Sequence, residues 1–410
     1  MPALFAIAVN GPVFGAFGPV GAASRNNEVA TSKIITETGL MQLYESSRQK
    51  GLDLIHAGKF SEAREVFNKA LEEITREDMP KQWADLQFFL GNATRNWAHD
   101  TEGAAANQRL QQAIDAYRAA LQVRTRKDFP QQWAAIQNNL AIVLRNQAMA
   151  NDEPQRASLL DEAVAAYRAA LQVRTREDFP EQWATIHNNL AIALRDQAMS
   201  GDEPRRANLL GEAVAAYRDA LQVQYLKAFP HERATTQNNL ALALRDQAMA
   251  NEGAERARLL AEAVATFRVA MQTRTRGSYP QKWASAQHNM AVALRAQAMV
   301  AEGAERESLL AEAVAAYRAA LNVYTRKDFP NRRAATQNHL AVALCDQAMT
   351  GERKKRVRLL KEAIGYCEAS LKVRTKEHFP AGHQETQDNL SATRRQLAEA
   401  EAKNVPRSSD

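Results

Sequence analysis

Paired amides and a following arginine return along this 410-residue sequence at intervals of fifty. Asn138, Asn139 and Arg145 are followed by Asn188, Asn189 and Arg195, and then by Asn238, Asn239 and Arg245. The next copies read His288, Asn289 and Arg295, then Asn338, His339 and Cys345, then Asp388, Asn389 and Arg395, while Arg95 precedes the series. An asparagine amide carries both a donor and an acceptor, as a peptide bond does. A row of them suits reading an extended backbone without demanding particular side chains. Arginine adds a charged fork for carboxylates, whether an acidic side chain or a chain terminus.

Chemistry of other kinds finds no foothold. The eight histidines are scattered, and only His378 and His383 lie close together, with no Cys or acidic cluster nearby that would make a zinc pattern. No glycine-rich phosphate loop and no nucleophile elbow is present. Acids and bases abound, but their repetition argues against one unique active site. The expectation is a non-catalytic protein with no cofactor and no metal.

The elements that carry the amides follow from a second periodic signal. Proline recurs at Pro80, Pro130, Pro180, Pro230, Pro280, Pro330 and Pro380, preceded each time by Met79 or an aromatic residue such as Phe129 or Tyr279. Proline is tolerated in a first helical turn, where its missing N–H has no intrahelical partner. Three residues later stand Trp83, Trp133, Trp183 and Trp283, replaced by Arg233, Arg333 and His383 elsewhere. Each Pro therefore opens a helix, with the Trp one turn inside. At 100° per residue, Trp183, Ile186, Leu190, Ala191, Leu194 and Ala198 share one stripe, and Asn188, Asn189, Ile192, Arg195 and Asp196 lie opposite. A break such as "SGDEP" follows, and then a second amphipathic helix with Leu210, Ala213, Val214, Tyr217, Ala220 and Leu221 on its stripe. One hairpin cannot cover both stripes, so adjacent units must stack. The Trp series is expected to wedge hairpins together, and the tyrosine of pairs such as Tyr167-Arg168 is expected to pack.

"NLAIAL" at 189–194 with "EAVAAYRDAL" at 212–221 resembles the tetratricopeptide family, and so does "GLDLIHAGKFSEAREVFNKAL" at 51–71. There Gly58, Phe60, Ala63, Phe67 and Ala70 match the family's turn and packing positions. The repeats are longer than the family's usual form, with about ten residues inserted between the two helices. The resemblance covers about residues 40–400 and implies an all-α fold, a right-handed α-solenoid of stacked antiparallel helical hairpins. It also implies that the first helices line a concave groove. The asparagines match the groove position that contacts peptide in kinesin-light-chain-like and peptide-receptor members, whose repeats bind and do not catalyse.

The expected organisation is an apolar leader at 1–38, a solenoid at 39–402 and a disordered tail at 403–410. The solenoid divides into a hairpin at 39–77, six fifty-residue units to about 376 and a polar capping helix at 381–402. The expected site is the groove row Asn138, Asn139, Arg145, Asn188, Asn189 and Arg195, continued by Asn238, Asn239, Arg245, Asn289, Arg295 and Asn338. Its expected occupant is a protein or extended peptide, with acidic character one option. Two other classes compete. An architectural or self-associating solenoid would have its groove filled by its own leader or by another copy; in a separate structural reading the amides tie hairpins together, with arginines such as Arg195 paired to acids across the stack. A nucleic-acid-binding solenoid would use the arginine row on phosphates, but acids such as Asp196 and Asp246 stand beside it, and no nucleic acid is expected. The net charge of +6, from 53 basic and 47 acidic side chains, is too dilute to favour that class.

The first residues, "MPALFAIAVNGPVFGAFGPVGAAS", are apolar, but no basic residue precedes the apolar part and Gly-Pro pairs interrupt it. A secretory signal has a basic start and an unbroken middle. The expected location is cytoplasmic, with export the alternative if residues 1–23 are a signal peptide. Cys345 and Cys367, an unpatterned pair, read as free thiols. No apolar run is long enough to span a membrane.

Overall fold

The computed structural model describes residues 29–223 and 229–402, with backbone alone for 29–36 and Glu203. Leader residues 1–28 and tail residues 403–410 lie outside the described residues, and with them the signal-peptide and disordered-tail readings. Among the described residues there are fifteen helices in antiparallel succession. The opening pair is α1 (Val29–His56) and α2 (Phe60–Glu73). Thus the first helix begins within the stretch assigned to the leader.

Six longer pairs follow. They are α3 (Pro80–His99) with α4 (Gly103–Leu121), α5 (Pro130–Met149) with α6 (Gln155–Leu171), and α7 (Pro180–Ser200) with α8 (Glu203–Leu221). Then come α9 (Pro230–Met249) with α10 (Gly253–Thr273), α11 (Pro280–Ala298) with α12 (Gly303–Leu321), and α13 (Pro330–Thr350) with α14 (Arg353–Leu371). A single helix, α15 (Pro380–Ala402), closes the row. Each helix packs on the next in sequence, and each proline-opened helix also touches the next of its kind. We call the first helix of each pair A and the second B. The fold is an all-α solenoid of stacked hairpins.

Local chemistry sets the helix ends. Every A helix from α3 onward has its proline at the first position, and the preceding residue sits outside the helical region, as Phe129 does at φ −138° and ψ 57°. That agrees with the steric bar on helical geometry before proline. The loops into α3, α5, α7, α11, α13 and α15 are small side-chain turns opened by a threonine. Thr125 Oγ1 donates to Asp128 Oδ2 at 2.8 Å, and the Asp128 N–H returns to Thr125 Oγ1 at 3.2 Å. In the opening pair, Gly58 turns the chain at φ +74°, a conformation that glycine adopts without steric cost. A Cβ at Gly51 would meet the Phe67 ring within 2.2 Å, so only glycine admits that ring.

The core runs through the whole stack. Tyr117, Tyr167, Tyr217, Phe267 and Tyr317 of the B helices are at most 1% exposed. Opposite them, Ala141, Ala191, Ala241, Ala291 and Ala341 are equally buried, and their small size lets the helices approach. Burying one large aromatic or leucine side chain contributes about 2 kcal/mol, so the repeated rung is strongly cohesive. The B helices are also stitched along their outer side. Arg118 meets Glu162 at 2.7 Å, Arg218 meets Glu262 at 2.6 Å and Arg318 meets Glu362 at 2.6 Å, each one hairpin further on.

The tryptophans differ from the expected deep wedge. Trp83, Trp133, Trp183 and Trp283 are half-buried at the loop end of the hairpin. Trp183 packs on Ala220 and Val223 at the end of its own B helix, and Trp283 on the cluster of Ala284, Ala320 and Tyr324. Where tryptophan is replaced, a polar group caps that B helix instead. Arg233 donates to the Leu221 carbonyl, and Arg333 to those of Leu321 and Tyr324.

Candidate functional site

The A helices carry the amides and arginines on one face, because the rest of each helix is used by the core. In α7, Ala184, Ile186, Leu190, Ala191, Ala193, Leu194, Gln197 and Ala198 are buried. The remaining stripe holds Thr185, Asn188, Ile192, Arg195 and Met199, separated by three or four residues and hence on one side of the helix. It repeats in α5 as Ala135, Asn138, Ile142, Arg145 and Met149, and in α9 as Thr235, Asn238, Leu242, Arg245 and Met249. None of the twelve expected site residues is fully exposed. Asn239 (3% exposed) and Asn338 (0%) are buried outright, and the other ten are half-buried.

The amides divide into tied and unspent groups. At the two ends of the stack they bond between hairpins. Asn139 Nδ2 donates to Asn92 Oδ1 at 3.0 Å, and Tyr117 Oη donates to the same oxygen at 2.7 Å. Asn338 Nδ2 donates to Glu385 Oε1 at 3.1 Å, and Asn389 Nδ2 to Asn338 Oδ1 at 3.1 Å. In the middle of the stack no such tie forms among the described residues. Asn188 Nδ2 reaches only its neighbour Asn189 Oδ1, at 3.4 Å, and Asn138 does the same with Asn139 at 3.3 Å. Asn138 Oδ1, Asn188 Oδ1 and Asn239 Nδ2 are buried and have no hydrogen-bond partner among the described residues. Buried polar groups without a partner are uncommon, and each costs free energy until it is satisfied.

The arginine row is largely neutralised from within. Arg145 Nε lies 2.6 Å from Asp196 Oδ2, Arg195 Nε 2.6 Å from Asp246 Oδ2, and Arg295 Nε 2.5 Å from Asp346 Oδ2. Each pair bridges one A helix to the next. The series breaks where Ala296 occupies the acid's position. Arg245 therefore turns to Asp246 of its own helix, at 2.6 Å, and that carboxylate serves two arginines. Asn146 fills the acid's position opposite Arg95, which bonds instead to Asn96 Oδ1 at 3.2 Å. Sequence reasoning read these arginines as forks aimed at a ligand, with cross-stack pairing as the competing option. The pairing supplies most of them with a counterion already.

One rung differs in chemistry. His288 and His339 stand where most siblings have asparagine, with their rings stacked 5.1 Å apart and Tyr317 edge-on to both. Burial, with His339, Arg245 and Arg374 nearby, pushes the His288 imidazolium down to about 3. His339 is also lowered by burial, against the opposing pull of Glu385. The terminal pair serves the backbone and a hydroxyl. His383 Nδ1 lies 2.7 Å from the Arg374 carbonyl, and His378 Nδ1 3.1 Å from Thr375 Oγ1. Among the described residues no group of three or more His, Cys, Asp or Glu is placed to hold a metal. Cys345 and Cys367 are free, and burial pushes the Cys367 thiol up to about 12.

A methionine row escaped the sequence reading. Met199, Met249, Met299 and Met349 are 48–57% exposed at the C-terminal ends of the A helices. The signal was present as "QAM" in every unit from the second to the sixth.

No family model and no curated protein matches this sequence. Solved structures do. The C-terminal part of a TPR repeat-containing protein from Cytophaga hutchinsonii aligns at 12% identity and a TM-score of 0.44, over 83% of this chain and 98% of that one. The apo form of RapI aligns at 11% identity and a TM-score of 0.38, over 87% and 99%. The TPR domain of P58(IPK) aligns at 15% identity and a TM-score of 0.21, over 87% and 99%. Among the described residues no helix is long and apolar enough to cross a membrane. The stacked helical hairpins are read from this chain's own helices and their packing, and its likeness to these three structures is distant.

Proposed function

We propose that this chain is a non-catalytic scaffold that captures a protein or peptide segment along the face its A helices line. The supporting observation is the unspent amide oxygen of Asn138 and of Asn188, half-buried at the same register of α5 and α7, with Asn238 at that register of α9. The other faces of these helices are occupied by core. Rotation of such an amide brings both a donor and an acceptor to a passing backbone. Asn238 and Asn289 extend the row through α11. Asn139 and Asn338, tied between hairpins, act in this reading as supports for the groove.

The internal counterions alter the kind of segment expected. Arg145, Arg195 and Arg295 already hold carboxylates, so an acidic segment gains little from them. The same pairing removes most of the charge a phosphate backbone would need. The test is partner capture from the native host by the intact chain and by the Asn188→Ala, Asn238→Ala variant. Neither amide bonds to another hairpin, so melting should change little while capture falls at least tenfold. Unchanged capture at unchanged stability sinks the reading.

A further inference from the structure

The exposed methionines form a bounded feature. Met199, Met249, Met299 and Met349 are about half exposed, and Met149 begins the row partly buried. At the corresponding positions of α3 and α15 stand His99 and Glu399, so the row is polar at both ends. Methionine is unbranched and polarisable, and a row of it makes an adaptable apolar surface.

A second row runs beside it. Three residues after each methionine comes an exposed acid: Asp152, Asp202, Glu252, Glu302 and Glu352. The last four are the residues immediately preceding a B helix, and none makes a side-chain capping bond. None of the five forms an ion pair with a described residue, whereas the acids of the A and B ladders are paired across the stack. An acid at a helix N-terminus is favoured by the helix dipole. That effect accounts for the sign of the charge but not for the adjoining exposed methionine. The rim ends in a reversal, because Lys354 and Lys355 stand exposed beside Glu352.

Spacing selects the occupant. Successive A helices touch one another, and packed helix axes lie about 8–10 Å apart, which sets the approximate step from one rung of the row to the next. A helix brings a side chain back to the same face every seven residues, a rise of about 10.5 Å. An extended strand repeats its faces at about 6.7 Å and falls out of step. We propose that the methionine row and its acidic rim dock an amphipathic helix of a partner protein. That helix places apolar residues two turns apart on the methionines and lysines or arginines over Asp152, Asp202, Glu252 and Glu302. The reversal at Lys354 and Lys355 fixes its direction. This inference rests on the scaffold reading, since the methionines share the A-helix face with the asparagines.

The test uses a synthetic 21-residue helix of leucine and lysine, with leucines on one face, titrated into the full chain carrying 13C-methyl methionine. The expected result is a shift of the Met199, Met249 and Met299 signals with Met79 unmoved. A glutamate-for-lysine version of the peptide should bind at least tenfold more weakly. Binding of the lysine peptide should also fall at least tenfold in the Glu252→Gln, Glu302→Gln variant and in the Met249→Gln, Met299→Gln variant, at unchanged helicity. Equal binding of the two peptides, or shifts spread over all methionines, overturns the proposal. Shifts that depend on protein concentration without peptide also overturn it, by assigning the surface to a second copy. The Asn188→Ala, Asn238→Ala variant separates the two readings. If it loses the native partner while the wild type ignores the leucine–lysine helix, the docking edge fails and the amide groove stands.

Discussion

Arg195 reaches across one hairpin to Asp246, its Nε 2.6 Å from Oδ2, and Asp246 also receives Arg245 at 2.6 Å. The side chain of Asp246 is only 10% exposed. Removing it strands two half-buried guanidinium groups. Asp246→Ala should therefore destabilise the chain by about 3 kcal/mol, as does the loss of one partner from a buried ion pair. Urea denaturation followed by circular dichroism measures this, and a loss below about 1 kcal/mol would show the pairs to be incidental.

The break in that ladder predicts the opposite sign. Ala296 occupies the place where other A helices offer Arg an aspartate from the next hairpin. Ala296→Asp should release Arg245 from the shared carboxylate and raise stability by about 1 kcal/mol, the range of a partly exposed charge-assisted bond. A higher urea midpoint at unchanged slope is the expected readout.

The two ladders should respond differently to salt and mutation. The Arg218–Glu262 pair on the B helices is about half exposed on the arginine side. Its loss through Arg218→Ala should cost no more than about 0.5 kcal/mol, and less in high salt. A cost equal to that of Asp246→Ala would contradict the distinction between outer and inner pairs.

The histidine rung predicts acid sensitivity. His288 titrates at about 3 in the fold because it is buried, with His339, Arg245 and Arg374 nearby, against an ordinary value of about 6.5. A base whose folded value is depressed contributes its full stability above the unfolded value and loses it as pH falls towards the folded one. Lowering the pH from 7 to 5 should thus cost about 2 kcal/mol through His288. His339, also lowered by burial, acts in the same direction. His288→Asn with His339→Asn should flatten the urea midpoint over that range.

Much of the architecture was legible because proline and apolar spacing act locally. Pro180 starts α7, and Leu190, Leu194 and Ala198 are buried as their spacing required. The contacts of the site were less legible because they join residues 47 or 51 positions apart. Whether Arg195 faces a ligand or Asp246 depends on the angle and rise between hairpins, which no single helix encodes. The wheel placed Asn188 opposite the core. It did not register that neighbouring A helices cover much of that side, leaving Asn239 buried. Met199 lay outside the apolar stripe read from the sequence and was assigned no role there. It lies past the last covered turn, where the chain leaves for the next helix.

The central claim is that partners lie along the A-helix face, and site-specific photocrosslinking tests it most directly. A photoreactive residue at position 192 sits between Asn188 and Arg195, and one at the exposed Ala215 sits on the B-helix side. The captured partner should crosslink from position 192 and not from position 215. Crosslinking from position 215 alone, or equally from both, would contradict it.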